Sequence, residues 1–242
     1  MTEAQRINKV KLILPIVILL VFIALDQWIK VYVKTHFQYS EVRNVFGNWF
    51  KLYFIENEGM AFGLKWGGIV GKYFLTGFRI VVSGFGAWYL WQNIKKGAPL
   101  SLLISISLIM AGALGNIIDS VFYGVWFSKI NFYAGGYFQG HVVDMFYAPM
   151  IQGEFPSWFP IWKNEPFTFF SPIWNLADAC ITVGIGIIIV GQHKFFPSKE
   201  SQKAAPVVEE QTQEIPVETA AETAEEAGAE PAAEATPPQD QE

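Results

Sequence analysis

The chain has 242 residues, 52% hydrophobic and 16% aromatic, with a formal charge of -5 that averages two unlike parts: positions 204–242 hold eleven acidic side chains and no Lys or Arg, against 17 basic and 11 acidic residues before them. One cysteine, Cys180, excludes an internal disulfide and a cysteine metal cluster. Three histidines, with no HExxH pattern, Gly-rich phosphate loop or basic aromatic stripe, make no case for zinc, nucleotide or nucleic acid.

The apolar residues fall in long runs rather than at amphipathic spacing, which is the pattern of a chain solvated by lipid. A helix crossing about 30 Å of hydrocarbon needs roughly 20 residues, and four runs meet that length: 12–33, 70–92, 99–118 and 173–192. The first follows Lys9 and Lys11 and continues into Asp26, Trp28 and Lys30 without a small-residue cleavage site, so it reads as a retained span rather than a signal peptide. Between the first two runs, Trp49-Phe50-Lys51-Leu52-Tyr53-Phe54-Ile55 alternates with a β period and leads to Asn57-Glu58-Gly59, predicting a short strand that ends in a turn. Lys95 and Lys96 fill the tight connection 93–98 before the third run. From Tyr133 to Pro172 the chain is rich in Gly, Pro and aromatics and too long for a mere connector, and Ser171-Pro172 marks the start of the fourth run.

Arg6, Lys9 and Lys11, then Lys95 and Lys96, then Lys194, Lys199 and Lys203 flank the runs on one side, which the positive-inside rule places in the cytoplasm with both termini. Loops 34–69 and 119–172 then face outward, and their Trp49, Trp66, Trp126, Trp158 and Trp162 are expected along the outer interface. Two units follow: 1–203, a four-helix membrane domain, and 204–242, an Ala-, Glu- and Pro-rich cytoplasmic tail with too little to bury to offset the entropy of ordering.

Polar residues at membrane depth carry the functional signal, because a charge near the middle of a span costs about 2.5–3.5 kcal/mol on insertion scales. Asp178 is placed about one and a half turns into the fourth run, with Asn175 on its face. Asn116 and Asp119 share i, i+3 spacing at the outer end of the third run, and Asp26 and Lys30 lie one turn apart in the first as an ion pair. Asn57 and Gly59 end the strand, and Asp144 stands alone in the apolar stretch around Val142-Val143-Asp144. All these groups converge on the outward third of the bundle. A proton-coupled transporter would place polar groups on both sides of the midplane and show repeated, broken helices, and neither is visible. Two acids sharing one water would be pushed apart in proton affinity, one acting as base and one as acid, which is peptide hydrolysis without a metal or covalent intermediate. Asp119 remains an alternative second acid. His141 reads as an interfacial histidine, Glu56 and Glu58 as solvated, and Cys180 as packing.

These motifs resemble the lipoprotein signal peptidases, or type II signal peptidases, over about residues 12–192: Asp26-Gln27-Trp28-Ile29-Lys30, Asn57-Glu58-Gly59-Met60-Ala61-Phe62-Gly63, Gly112 to Asp119, Val142-Val143-Asp144, and Asn175-Leu176-Ala177-Asp178. The resemblance implies an all-α membrane protein, a four-transmembrane-helix bundle with a small extracytoplasmic β-rich platform, acting as a monomer in the bacterial inner membrane without a cofactor. It implies a catalytic dyad of Asp144 and Asp178, with Asp26, Lys30, Asn57, Gly59, Gly112, Asn116, Asp119, Asn175 and Ala177 supporting the site or the substrate. That substrate would be a prolipoprotein whose lipobox cysteine carries diacylglycerol, cleaved just before the cysteine. Two features depart from the family: Ser120 stands where an Arg usually follows the third-span acid, and the Phe155–Phe170 stretch between the dyad acids is longer, leaving a lid or an interface anchor as its readings.

Overall fold

The computed structural model describes residues 8–58 and 68–196. Arg6, Gly59 and the motif residues Met60 to Gly63, Trp66, Lys199, Lys203 and the segment 204–242 lie outside the described residues.

Four long helices occur among the described residues: α1 (Lys9–His36), α2 (Gly68–Lys95), α3 (Leu100–Trp126) and α4 (Leu176–Phe195). Length and apolarity alone qualify three of them, α1, α3 and α4, to cross a membrane. The run read at 70–92 is helical, but Lys72 and Arg79 lie within it, so composition by itself does not carry the fourth span.

The helices are organised inside out. In α1 the buried residues are Pro15 and then Asp26, Lys30, Val33 and Lys34, one helical stripe that is mostly charged, while Ile13, Leu20 and Trp28 are exposed. That is the reverse of a soluble amphipathic helix and suits one whose outer solvent is hydrocarbon. The central helix is α3, with two-thirds of its most apolar stretch buried, and it packs against the other three. It extends eight residues past the expected end at position 118, because Asn116, Asp119, Ser120 and Tyr123 find partners inside the protein and have no need to leave the helix.

The strand content exceeds the single strand read in the first outer loop. Strands β1 (Val42–Phe46), β2 (Phe50–Asn57), β3 (Val142–Tyr147) and β6 (Ile173–Trp174) form an antiparallel sheet in the order β1-β2-β3-β6. Strands β4 (Ile151–Glu154) and β5 (Pro166–Phe169) form a separate hairpin. Here the fourth helical run needs correction: Ile173 and Trp174 pair with Tyr147 and Phe146, and α4 begins only at Leu176. Ser171-Pro172 is therefore not the helix start. Asn175 is the N-cap, and Asp178 is the third helical residue of a capping box.

Two apolar clusters hold this frame. Val33 and Phe37 of α1, Tyr123 of α3, Phe54 of β2 and Val143 and Met145 of β3 pack together, seating the sheet on the helices. At the opposite end of α2 and α3, Leu90, Ile94, Leu102, Leu103, Ile106 and Met110 close the hairpin around Gly97, whose φ of +67° suits the absence of a Cβ.

Candidate active site

A buried polar web lies between α1, α3, β3 and the start of α4. Its centre is Lys30, fully buried, whose ammonium meets three oxygens: Asp26 Oδ2 at 2.9 Å, Asp119 Oδ2 at 2.8 Å and Asn116 Oδ1 at 2.8 Å. An ammonium has three N–H donors, so Lys30 is saturated and its burial is compensated. The Asp26–Lys30 pair read from i, i+4 spacing is present, and Asp119 joins it.

Each acid of this triad also ties down backbone. Asp26 Oδ1 accepts from Ala177 N at 3.0 Å, satisfying a free N–H in the first turn of α4. Asp119 accepts from Val143 N at 3.3 Å and from Gln27 Nε2 at 2.9 Å. Asp119 thus clamps β3 beside Asp144, and both its oxygens are engaged. The close approach of the helices depends on small residues: a Cβ on Gly112 would lie 2.2 Å from Ala177 O, and one on Gly115 would lie 2.5 Å from Asp26 Oδ2.

From the triad the web passes to Asp144 and Asp178. Asn116 accepts from Lys30 and donates to Asp178 Oδ1 at 3.1 Å. Asn175 holds both acids: its Oδ1 accepts from Asp178 N at 3.0 Å, and its Nδ2 donates to Asp144 Oδ1 at 2.6 Å. The Asn57 side chain also hydrogen-bonds Asp144. Asp144 is flanked by the fully buried Val143 and Met145 and is itself 6% exposed, whereas Asp178 is half-buried. Burial first, and then the charge of Asp178, push the Asp144 carboxyl up to about 7, with Asn175, Lys30 and Asn57 opposing the shift.

Of the residues singled out in the sequence, Asp26, Lys30, Asn57, Gly112, Asn116, Asp119, Asp144, Asn175, Ala177 and Asp178 are thus brought together. Others are placed elsewhere. His141 stacks on Tyr133 with ring centroids 3.7 Å apart, Cys180 packs within α4, and Ser120 Oγ donates to Asn116 O in its own helix at 2.9 Å. Glu56 was read as solvated, but its side chain is buried against the Lys34 ammonium, which the rings of Phe54 and Phe127 also face. Glu58 is exposed.

Gln27, Tyr123 and Arg79 are residues of the neighbourhood to which the sequence reading gave no role. Gln27 bridges Asp119 and Gly115 O and accepts from Tyr123 Oη at 3.1 Å. Arg79 of α2 stands in the field of Asp178, Asp119 and Asp144. Its signal was available, since a cation inside an apolar run meets the same rule that singled out Asp178.

The family model described as Signal peptidase (SPase) II matches residues 18–194. The chain belongs to the signal peptidase II family. It is a peptidase of the membrane. Proteins named lipoprotein signal peptidase are similar to it: one from Porphyromonas gingivalis is 43% identical over 77% of this chain and 84% of its own length. Another from Amoebophilus asiaticus is 36% identical over 72% and 75%, respectively. Two solved structures described as bacterial membrane enzymes share the fold, with TM-scores of 0.52 and 0.51 at 23% and 25% identity, covering 80% and 74% of this chain and 93% and 92% of theirs.

Proposed function

We propose that this peptidase removes the signal peptide from diacylglyceryl-modified prolipoproteins just before the lipobox cysteine, using Asp144 and Asp178 to activate water. The observation that carries the reading is Asn175, which accepts from the backbone of Asp178 while its amide donates to Asp144, so one residue sets two acids of unlike environment side by side.

The unlikeness assigns the roles. Asp178 lies in the first turn of α4, where the positive end of the helix dipole favours an anion, and it accepts from Asn116. Asp144 is more deeply buried and holds a proton near neutrality. Asp178 takes a proton from the attacking water as the water oxygen bonds to the scissile carbonyl carbon. Asp144 donates its proton to the carbonyl oxygen. When the tetrahedral intermediate collapses, the C–N bond breaks, the proton on Asp178 passes to the leaving amine, and Asp144 recovers its own from the gem-diol as the new carboxylic acid forms. Asp26, Lys30, Asn116 and Asp119 fix the two elements that carry the dyad. Arg79 adds positive potential on the α2 side, a cation that Ser120 does not provide.

In this reading all four helices cross the inner membrane, both termini are cytoplasmic, and the sheet and dyad face outward. The charged stripe of α1 and the buried Lys72, Thr76 and Ser83 of α2 then face protein while the exposed apolar residues of both helices face lipid. Purified Asp144→Asn and Asp178→Asn variants, folded as the parent, are expected to lose cleavage of a diacylglyceryl precursor by about 10³-fold or more. Full turnover in either would remove that residue from the dyad.

A further inference from the structure

The β4–β5 hairpin is built unlike the rest of the platform. Among the described residues its strands pair only with each other, in the register Ile151↔Phe169, Gln152↔Thr168, Gly153↔Phe167 and Glu154↔Pro166. Side chains alternate across a strand, so Ile151, Phe167 and Phe169 share one face and Gln152 and Thr168 the other. An isolated two-stranded hairpin is marginal in water, and this one leaves Ile151 and Phe169 more than half exposed on its apolar face.

The tip adds to that face. From Phe155 to Trp162 no residue is charged, and the charges resume on either side of it at Glu154, Lys163 and Glu165. Backbone bonds from Phe155 N to Glu165 O at 2.9 Å and from Asn164 N to Phe155 O at 3.0 Å close the loop. Inside it Phe155 packs on Phe159, Trp162 and Phe167 at centroid distances of 5.0, 5.6 and 4.9 Å. This knot holds Trp158 and Ile161 outward at 76% and 73% exposure. The apolar points are therefore presented in advance, and little conformational freedom remains to be lost when they are covered.

We infer that the β4–β5 hairpin is a membrane wedge, whose tip, led by Trp158 and Ile161, inserts into the bilayer that the helices span. Three observations favour lipid over a protein partner. The apolar tip is bounded by a charged collar, as a loop needs when its end enters hydrocarbon and its base stays among headgroups. Tryptophan leads it, the side chain that settles at that boundary. The hairpin is rooted close along the chain to where α4 begins, since Phe169 is followed within a few residues by β6 and the Asn175 cap, so it is tethered beside the entry of an apolar helix. The same root joins it to β3, from which only three residues separate it, so insertion sets the depth of the strand carrying Asp144. The choice of the outer leaflet rests on the orientation proposed above; insertion itself does not.

Cys180 is the single cysteine, so a Cys180→Ala background allows a spin label at Trp158→Cys on the tip or at Gln152→Cys on the polar face, in the full chain reconstituted in phosphatidylcholine vesicles. The tip label is expected to collide preferentially with dissolved oxygen and the Gln152 label with a water-soluble nickel chelate. In parallel, acyl-chain-brominated phosphatidylcholine should quench the parent's tryptophan emission more than that of Trp158→Phe. A tip label as open to the chelate as the Gln152 label, or equal quenching in the two proteins, overturns the wedge. So does a tip label that becomes shielded only when a precursor peptide is added, which would make the hairpin a substrate cover. Precursor cleavage in the same vesicles separates the two proposals: insertion without cleavage rejects the function and retains the wedge, and cleavage without insertion does the reverse.

Discussion

The two ends of the helical bundle are held together by different physics. Around Lys30 the contacts are directional and nearly every buried polar atom has a named partner, whereas around Leu103 the neighbours are Leu90, Ile94, Leu102, Ile106 and Met110, which meet through shape alone. A buried ion network adds little net stability over a packed apolar core, because desolvation consumes most of the Coulombic gain. What it supplies is position: Lys30 fixes Asn116, Asp26 fixes the start of α4 and Asp119 fixes β3. The apolar end is therefore expected to tolerate rearrangement that the polar end does not.

Replacing Lys30 by Met gives the sharpest contrast. Asp26 and Asp119 would be left buried without their cation, a loss of about 3–5 kcal/mol. Thermal unfolding in detergent should register it, and cleavage by the surviving folded protein should also fall, because α4 and β3 lose their shared anchor. Next comes Leu103→Ala, which opens a cavity and should cost about 2–5 kcal/mol. Here turnover per folded molecule should stay at the parent value. A large loss of turnover at full folding would mean that the apolar end also positions the proposed dyad.

A third effect is read in pH. Asp144 binds its proton more tightly in the folded chain, with its carboxyl raised from 3.8 to about 7, so the native state holds more protons than the unfolded state between those values. Stability should thus decline as pH rises through that window and level off above it. Asp144→Asn should lack the decline and be no less stable than the parent on the alkaline side. In the proposed mechanism Asp144 acts protonated, so turnover should decrease as pH climbs past about 7. A rate still rising there would reverse the acid and base assignments.

Much of this was legible in the sequence where lipid imposes a strong penalty. The apolar runs marked the helices, and the polar residues that interrupt them marked the web, because a charge in hydrocarbon persists only with a partner. Arg79 obeyed the same rule and was overlooked. The boundaries were less legible. Strand β2 was visible as an alternation in Trp49–Ile55, but β6 is two residues long and exists only because Phe146 and Tyr147 lie beside it. Its pairing delays α4 to Leu176 and makes Asn175 the cap, so Asp178 stands in the first turn rather than deeper in the helix.

By itself, then, the sequence determined the membrane as solvent and which polar residues had to be sheltered from it, since both follow from transfer costs that act residue by residue. Only the tertiary structure decided the partnerships. Asp119 and Asp144 are both solitary acids along the chain. One becomes a clamp because Lys30, Gln27 and Val143 N occupy its oxygens, and the other becomes a proton holder because β3 buries it next to Asp178. Burial and neighbouring charge depend on distance in space, and no spacing along the chain encodes them.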